Sequence, residues 1–229
     1  MTVELVSLDV GGVLVVPDHG FLALALDRAG VPYDPAAFWE GHYRAMHAVD
    51  HHESDPETFG DYLDGFLDAV GVPEAQRAGA RRHLDLVFAT PIWAQPVPGS
   101  RLGVAALAAA GLRLAVTSNS DGTVAPLLRR NELVQVGDGP GTPVEAIIDS
   151  GDVGVAKPDP RIFEHTVAAT GVPAERILHV GDSVHYDVVG ARAAGCRPVH
   201  FDPYALCADD DHDHVAALAD LPALVAAAG

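Results

Sequence analysis

Short apolar runs that stop at a polar residue, each followed by a glycine- or proline-marked turn and then by helical periodicity, set the narrowest limit on how this chain folds. The first is Val-Glu-Leu-Val-Ser-Leu at 3–8, which ends at Asp9 and runs into Gly11-Gly12; others lie at 112–117, 144–149, 176–180 and 198–201. Helical patterns fall between them at 100–110, 123–130, 160–170 and 184–194, several closed by a glycine (Gly111, Gly171, Gly195). Strands that alternate with helices predict an α/β fold with a Rossmann-like, doubly wound parallel sheet, because a parallel pair needs a crossover and the helix supplies it. Ligands of such sheets bind beyond the carboxyl ends of the strands, which is where Asp9, Ser118 and Asp182 fall.

Residues 19–94 interrupt this alternation. Four helical stretches, 20–29, 35–49, 56–70 and 74–88, follow one another with no strand between them. The pattern predicts an all-helical cap subdomain at 19–94 inserted into a core made of 1–18 and 95–229. Val16-Pro17-Asp18 and Pro96-Val97-Pro98-Gly99 would be the two hinges.

A formal charge of −18, from 14 basic and 32 acidic side chains, argues against nucleic acid and anionic membranes as partners. It does not exclude an anionic substrate, since a metal ion and a few donors reverse the sign inside a cleft. The two cysteines, Cys196 and Cys207, have neither Cys-x-x-Cys spacing nor a zinc-type histidine pattern, and a disulfide framework is not expected. The amino-terminal residues lack a basic and apolar leader, and no apolar run reaches the ~18 residues of a membrane span, so a cytoplasmic protein is expected. Oligomeric state leaves no trace in the sequence.

Four places carry chemistry. Asp9 stands between a strand and a tight glycine turn; read alone, it is an Asp capping that turn. Asp182, in Gly181-Asp182-Ser183, and Asp187 five residues on follow another strand, and carboxylates there suit Mg²⁺ as well as they suit a helix cap. Lys157 lies in a loop braced by Pro158 and Pro160 and is the only lysine; the other 13 basic residues are arginine. In a chain so biased against lysine, a compact ammonium that stabilises a transferring phosphoryl group, or keeps a carboxylate nucleophile ionised, explains the exception. Ser118 and Asn119 end a strand and can donate to phosphate oxygens.

Taken together, Asp9-Val-Gly-Gly-Val, Ser118-Asn119, Lys157-Pro-Asp-Pro and Gly-Asp182-Ser-x-x-x-Asp187 resemble the four motifs of the haloacid dehalogenase (HAD) superfamily, in order and over nearly the whole chain. The helical insertion resembles that family's C1 cap. The resemblance implies a magnesium-dependent phosphatase of small phosphorylated molecules in which Asp9 attacks phosphorus and becomes an aspartyl-phosphate. By the same resemblance Ser118 holds the phosphoryl group, Lys157 neutralises charge, and Asp9, the Gly11 carbonyl and Asp182 hold Mg²⁺, with Asp187 assisting. Gly11 departs from the pattern, because most family phosphatases carry there an Asp that protonates the leaving group. General acid–base help is worth ~10²–10⁴-fold, so its loss predicts a slow enzyme, a substrate with a good leaving group, or an acid from elsewhere, with Asp18 and His19 as candidates.

Two relatives manage without that acid. Phosphonoacetaldehyde hydrolases need a cap lysine, which this chain lacks. 2-Haloacid dehalogenases lack the acid corresponding to Asp182, which this chain has; Arg44 in the cap could hold a substrate carboxylate, so a dehalogenase is the second expectation. A weakly catalytic binding or regulatory protein is the third. His47, His51 and His52 suggest a zinc site only weakly, and 209–214, Asp-Asp-Asp-His-Asp-His, also looks metal-like but reads first as a solvated acidic loop before the last helix.

Overall fold

The computed structural model describes residues 2–51 and 60–227. In chain order it contains β1 (Leu5–Leu8), β2 (Val15–Pro17), α1 (His19–Ala29), α2 (Phe38–His51), α3 (Gly60–Ala69), α4 (Glu74–Phe88) and β3 (Trp93–Pro96). Next come α5 (Ser100–Ala109), β4 (Arg113–Ser118), α6 (Val124–Arg130), β5 (Val134–Val136), β6 (Thr142–Val144), β7 (Ala146–Asp149), α7 (Ser150–Val153) and α8 (Arg161–Thr170). The chain closes with β8 (Ile177–Gly181), a π-helical turn (Val184–Val189), α9 (Gly190–Ala193), β9 (Arg197–Phe201), β10 (Asp213–Val215) and α10 (Leu221–Ala227). It divides into two compact units, one of 1–14 with 96–229 and the other of 15–95.

The larger unit is built on a six-stranded sheet ordered β10-β9-β8-β1-β4-β7, in which every described pairing is parallel. The chain steps from β1 to β4 and β7 on one side, then resumes at β8 on the other, so β1 lies at the topological switch point. All four residues of β1 are buried, as expected of a parallel strand covered on both faces. Leu5, Ala115, Ile162, Phe163, Ile177 and Ala191 form part of one core cluster here, each buried Leu, Ile or Phe side chain stabilising the fold by about 1.5–3 kcal/mol.

In the smaller unit, Leu22, Leu26, Phe38, Tyr62, Phe66 and Leu84 share a second core. Asp18 caps α1 by accepting from the amides of Gly20 and Phe21, and Gly30 in the left-handed region ends it. The chain enters and leaves this unit through β2 and β3, which pair as a ribbon; residues 93–94, expected inside an all-helical insertion, are therefore strand.

Two other expectations change. The stretch 184–194 is not one α-helix: its first turn is π, with Val188 N donating to Ser183 O. Asp187 is turned inward there, its carboxylate accepting from the Ser183 amide, and the extra residue in the turn accommodates that geometry. The stretch 209–214 is not a solvated loop throughout. Its end enters the sheet as β10, and the His212 side chain is 0% exposed.

Candidate active site

Sheet order explains why residues distant in sequence meet. Asp9 follows central β1, Ser118 closes β4 on one side, and Asp182 follows β8 on the other. The Asp9 amide donates to Val180 O at 2.8 Å, which fixes the carboxylate at the end of the sheet, and Asp9, Ser118, Lys157, Asp182 and Asp187 are all buried.

Lys157 is the electrostatic centre of this group. Its Nζ lies 2.7 Å from Asp9 Oδ1 and 2.5 Å from Asp187 Oδ1, with the side chain 2% exposed. Burial alone would push the ammonium down, but Asp187 and Asp9 outweigh it and hold Lys157 above the usual lysine value. Asp187 is the opposite case: burial would raise its carboxyl, yet Lys157 and His179 hold it well below the usual carboxylate range. For Asp9, burial prevails over the Lys157 charge, and with Asp187 nearby its carboxyl is raised.

Asn119 has a different task from the expected donation to phosphate. Its Oδ1 accepts from Lys157 N at 2.7 Å and its Nδ2 donates to Lys157 O at 2.9 Å, so this amide clamps the loop that carries the lysine. Asp187 is also engaged on both oxygens, by Lys157 Nζ and His179 Nε2 on one and by the Ser183 amide on the other. It positions Lys157 rather than offering an open coordination site. Gly181 makes room for it, since a Cβ there would lie 1.9 Å from Asp187 Cγ.

Carboxylate oxygens of Asp9, Asp182 and Asp187 lie within 4.8 Å of one another. Three buried carboxylates against one ammonium leave excess negative charge, which is relieved by a further cation or by proton uptake, the direction in which Asp9 is already pushed. The turn is shaped to match: Gly12, at φ +64°, presses its backbone against Asp182, and a Cβ there would lie 1.9 Å from Oδ2. The Gly11 carbonyl accepts from Val13 N at 2.7 Å and has a second lone pair for a ligand. This oxygen set fits a hard divalent cation.

Arg44 belongs to the smaller unit, where its guanidinium pairs with Glu40 at 2.5 Å. Asp18 is occupied as a helix cap. His19 packs at 4.4 Å against Trp39, and burial lowers its pKa, so near neutrality it is no ready proton donor. His52 lies outside the described residues; His47 and His51 stack at 4.1 Å.

Sequence reasoning missed the support beneath the site. His179 Nε2 donates to Asp187 at 3.0 Å, its Nδ1 meets Ser7 Oγ at 3.1 Å, Ser7 Oγ meets Thr117 Oγ1 at 2.8 Å, and Thr117 meets Thr166 Oγ1 at 2.7 Å. All four residues are fully buried. The available signal was a polar residue inside a central apolar strand, Ser7 in β1 and His179 in β8.

A family model of haloacid dehalogenase-like hydrolases matches residues 3–195. The chain belongs to that family. It is 36% identical over 141 residues to a phosphoserine phosphatase of Thermus thermophilus, a match covering 62% of this chain and 53% of that protein. It is 29% identical over 174 residues to a glyceraldehyde 3-phosphate phosphatase of Pyrococcus abyssi, covering 76% and 68%. Across the first curated relatives the matches thus span from about a third to two thirds of their lengths. Among solved structures, the magnesium-bound HAD-hydrolase YfnB of Bacillus subtilis superposes with a TM-score of 0.63 at 16% identity, over 98% of this chain and 99% of that one. A 2-haloacid dehalogenase from Pseudomonas syringae gives 0.58 at 20%, each chain covered completely. At such identities these two establish the fold alone, a Rossmann-like α/β architecture. Among the described residues no helix is long and apolar enough to cross a membrane.

Proposed function

We propose that this hydrolase cleaves phosphate monoesters of small molecules through an aspartyl-phosphate on Asp9, with Mg²⁺ as cofactor and residues 19–94 as a C1-type cap. The observation that carries this reading is Lys157 Nζ bridging Asp9 and Asp187 beside the Asp182 carboxylate: a nucleophile, a fixed cation and a place for a metal in one cluster. The phosphatase relatives support the same class. Mg²⁺, held by Asp9, Asp182 and the Gly11 carbonyl, would supply Lewis-acid neutralisation of the phosphoryl oxygens.

Asp9 Oδ1 faces the ammonium, and the other oxygen attacks phosphorus. The P–O bond to the alcohol breaks as the Asp9–phosphorus bond forms; water then attacks phosphorus and returns Asp9. Ser118 donates to a phosphoryl oxygen, and Lys157 balances the charge that grows there. Gly11 offers the departing alkoxide no proton, so substrates with stable leaving groups are favoured.

The test is a panel of sugar phosphates, nucleotides and small organic phosphates with and without Mg²⁺, using wild type, Asp9→Asn and Gly11→Asp. Phosphate release should require Mg²⁺ and vanish in Asp9→Asn, and Gly11→Asp should accelerate alkyl phosphates by up to ~10²–10⁴-fold. Absence of any Mg²⁺- and Asp9-dependent turnover would sink the proposal, and halide release from 2-haloacids in chelator would replace it with a dehalogenase.

A further inference from the structure

A second cluster of ligating side chains lies at the other end of the sheet order from β7, on β9, β10 and the segment that joins them. His200 and His214 are direct cross-strand partners in the parallel β9–β10 pair, so both side chains leave the same face. Cys207 and His212 come from the intervening segment, giving His-x6-Cys-x4-His-x-His in sequence. One donor atom from each of the four residues lies within 4.8 Å of the other three. No zinc-type pattern runs along the sequence at Cys207; the pairing of β9 with β10 is what gathers the histidines near it.

Each imidazole is oriented by an oxygen acceptor. His200 Nε2 donates to Asp182 O at 3.1 Å, His214 Nε2 donates to Asp209 O at 3.1 Å, and His212 Nδ1 donates to an Asp211 carboxylate oxygen at 2.6 Å. An acceptor on one ring nitrogen fixes the proton there and leaves the lone pair on the other, so His200 Nδ1, His214 Nδ1 and His212 Nε2 are in donor form. Asp211 is held in turn by Arg192, whose Nη1 and Nη2 reach its Oδ2 and its carbonyl at 3.0 and 3.1 Å. The loop bearing the thiol is shaped by Asp202, whose two oxygens accept from the Leu206 and Cys207 amides. Asp202 Oδ2 is 3.8 Å from His214 Nδ1, too far for a hydrogen bond. A ring nitrogen steered by an outer carboxylate or carbonyl is how metal-binding histidines are built.

We infer that His200, Cys207, His212 and His214 form a tetrahedral Zn²⁺ site, chemically distinct from the carboxylate cluster at Asp9. Zn–N bonds of 2.0–2.1 Å and a Zn–S bond of 2.3 Å place ligand atoms roughly 3.3–3.7 Å apart, so the cluster needs only about 1 Å of contraction. A thiolate and three imidazoles suit Zn²⁺, whereas Mg²⁺ takes oxygen ligands. Four protein ligands make a closed, structural site, and its role is to fasten segment 202–215 to the sheet. The site also touches the end of β8: metal at His200 Nδ1 polarises the Nε2–H that the Asp182 carbonyl accepts. Zinc here stiffens the backbone that aims the Asp182 carboxylate.

The experiment uses the full chain without a polyhistidine tag, stripped with chelator and titrated with Co²⁺ and Zn²⁺. With excess Mg²⁺ filling the carboxylate cluster, wild type should bind one Co²⁺ per chain with the intense visible absorption of tetrahedral cobalt and a thiolate-to-metal charge-transfer band, and Zn²⁺ should displace it. Cys207→Ser should lose the charge-transfer band, and Asp211→Ala should weaken binding ~10–100-fold. Asp9→Asn should bind cobalt like wild type, and excess Mg²⁺ should not compete. A wild-type spectrum that is weak and octahedral, or a charge-transfer band that survives in Cys207→Ser, overturns the inference. Neither outcome depends on whether the protein hydrolyses phosphate esters.

Discussion

Replacing Lys157 by Met keeps most of the side-chain volume and removes the one positive charge between two buried carboxylates. At the observed 2.7 Å and 2.5 Å, with an effective dielectric constant near 20, each contact supplies roughly 6 kcal/mol of attraction, most of it offset by the desolvation of all three groups. Taking away one partner leaves the desolvation cost without its compensation, so metal-free Lys157→Met should lose about 3–5 kcal/mol of stability. For a chain of this size that lowers Tm by roughly 6–20 °C. Asp9, its carboxyl already raised by burial, would rise further and take up a proton. A carboxyl raised in the folded state destabilises above its unfolded pKa, so the deficit should narrow as pH falls from 7 to 5. Denaturant unfolding of wild type, Lys157→Met, Asp187→Asn and the double variant in chelator measures the effect, and the double variant should lose about 1–3 kcal/mol less than the sum of the singles. A Lys157→Met loss below about 1 kcal/mol, or strict additivity, would show that the three groups are not coupled as their distances require.

Two further outcomes are expected. His42 is buried in the smaller unit, its Nδ1 2.9 Å from Tyr62 Oη, and burial pushes its pKa down to about 3, with His19 adding to the shift. The unfolded chain therefore binds a proton between pH 6.5 and about 3 that the folded chain refuses, and stability falls by about 2 kcal/mol from pH 7 to pH 5, a loss that His42→Gln should abolish in denaturant titrations at the two pH values. Gly12→Ala places a Cβ where Asp182 Oδ2 stands and forces alanine to φ +64°; at least 1–2 kcal/mol of stability should go, together with Mg²⁺-dependent turnover, and a variant that retains both would disprove the close fit of turn and carboxylate.

The main sheet was legible because parallel strands buried on both faces leave continuous apolar runs, and Asp9, Ser118 and Asp182 could be placed at their ends for the same reason. Lys157 stood out through its rarity. What stayed hidden depends on pairing across distance. Nothing local shows that Asn119 spends its amide on the backbone of Lys157, or that Asp187 faces inward from a π turn. The segment 209–214 misled because its aspartates dominate its composition, whereas its fold follows from β10 pairing with β9, a contact that only the sheet order supplies. Ser7, Thr117 and Thr166 are ordinary strand and helix residues until three elements bring their hydroxyls together.

Those three hydroxyls have a consequence of their own. Each carries a single proton, so the row from Thr166 through Thr117 and Ser7 to His179 can be ordered in only one of two senses. While the ring proton sits on Nε2 facing Asp187, Nδ1 must receive from Ser7, Ser7 from Thr117, and Thr117 from Thr166. All three O–H bonds then point toward the carboxylate that steadies Lys157. The polarity of an interior row that reaches from α8 across β4 and β1 is thus set by which nitrogen of one imidazole carries its proton.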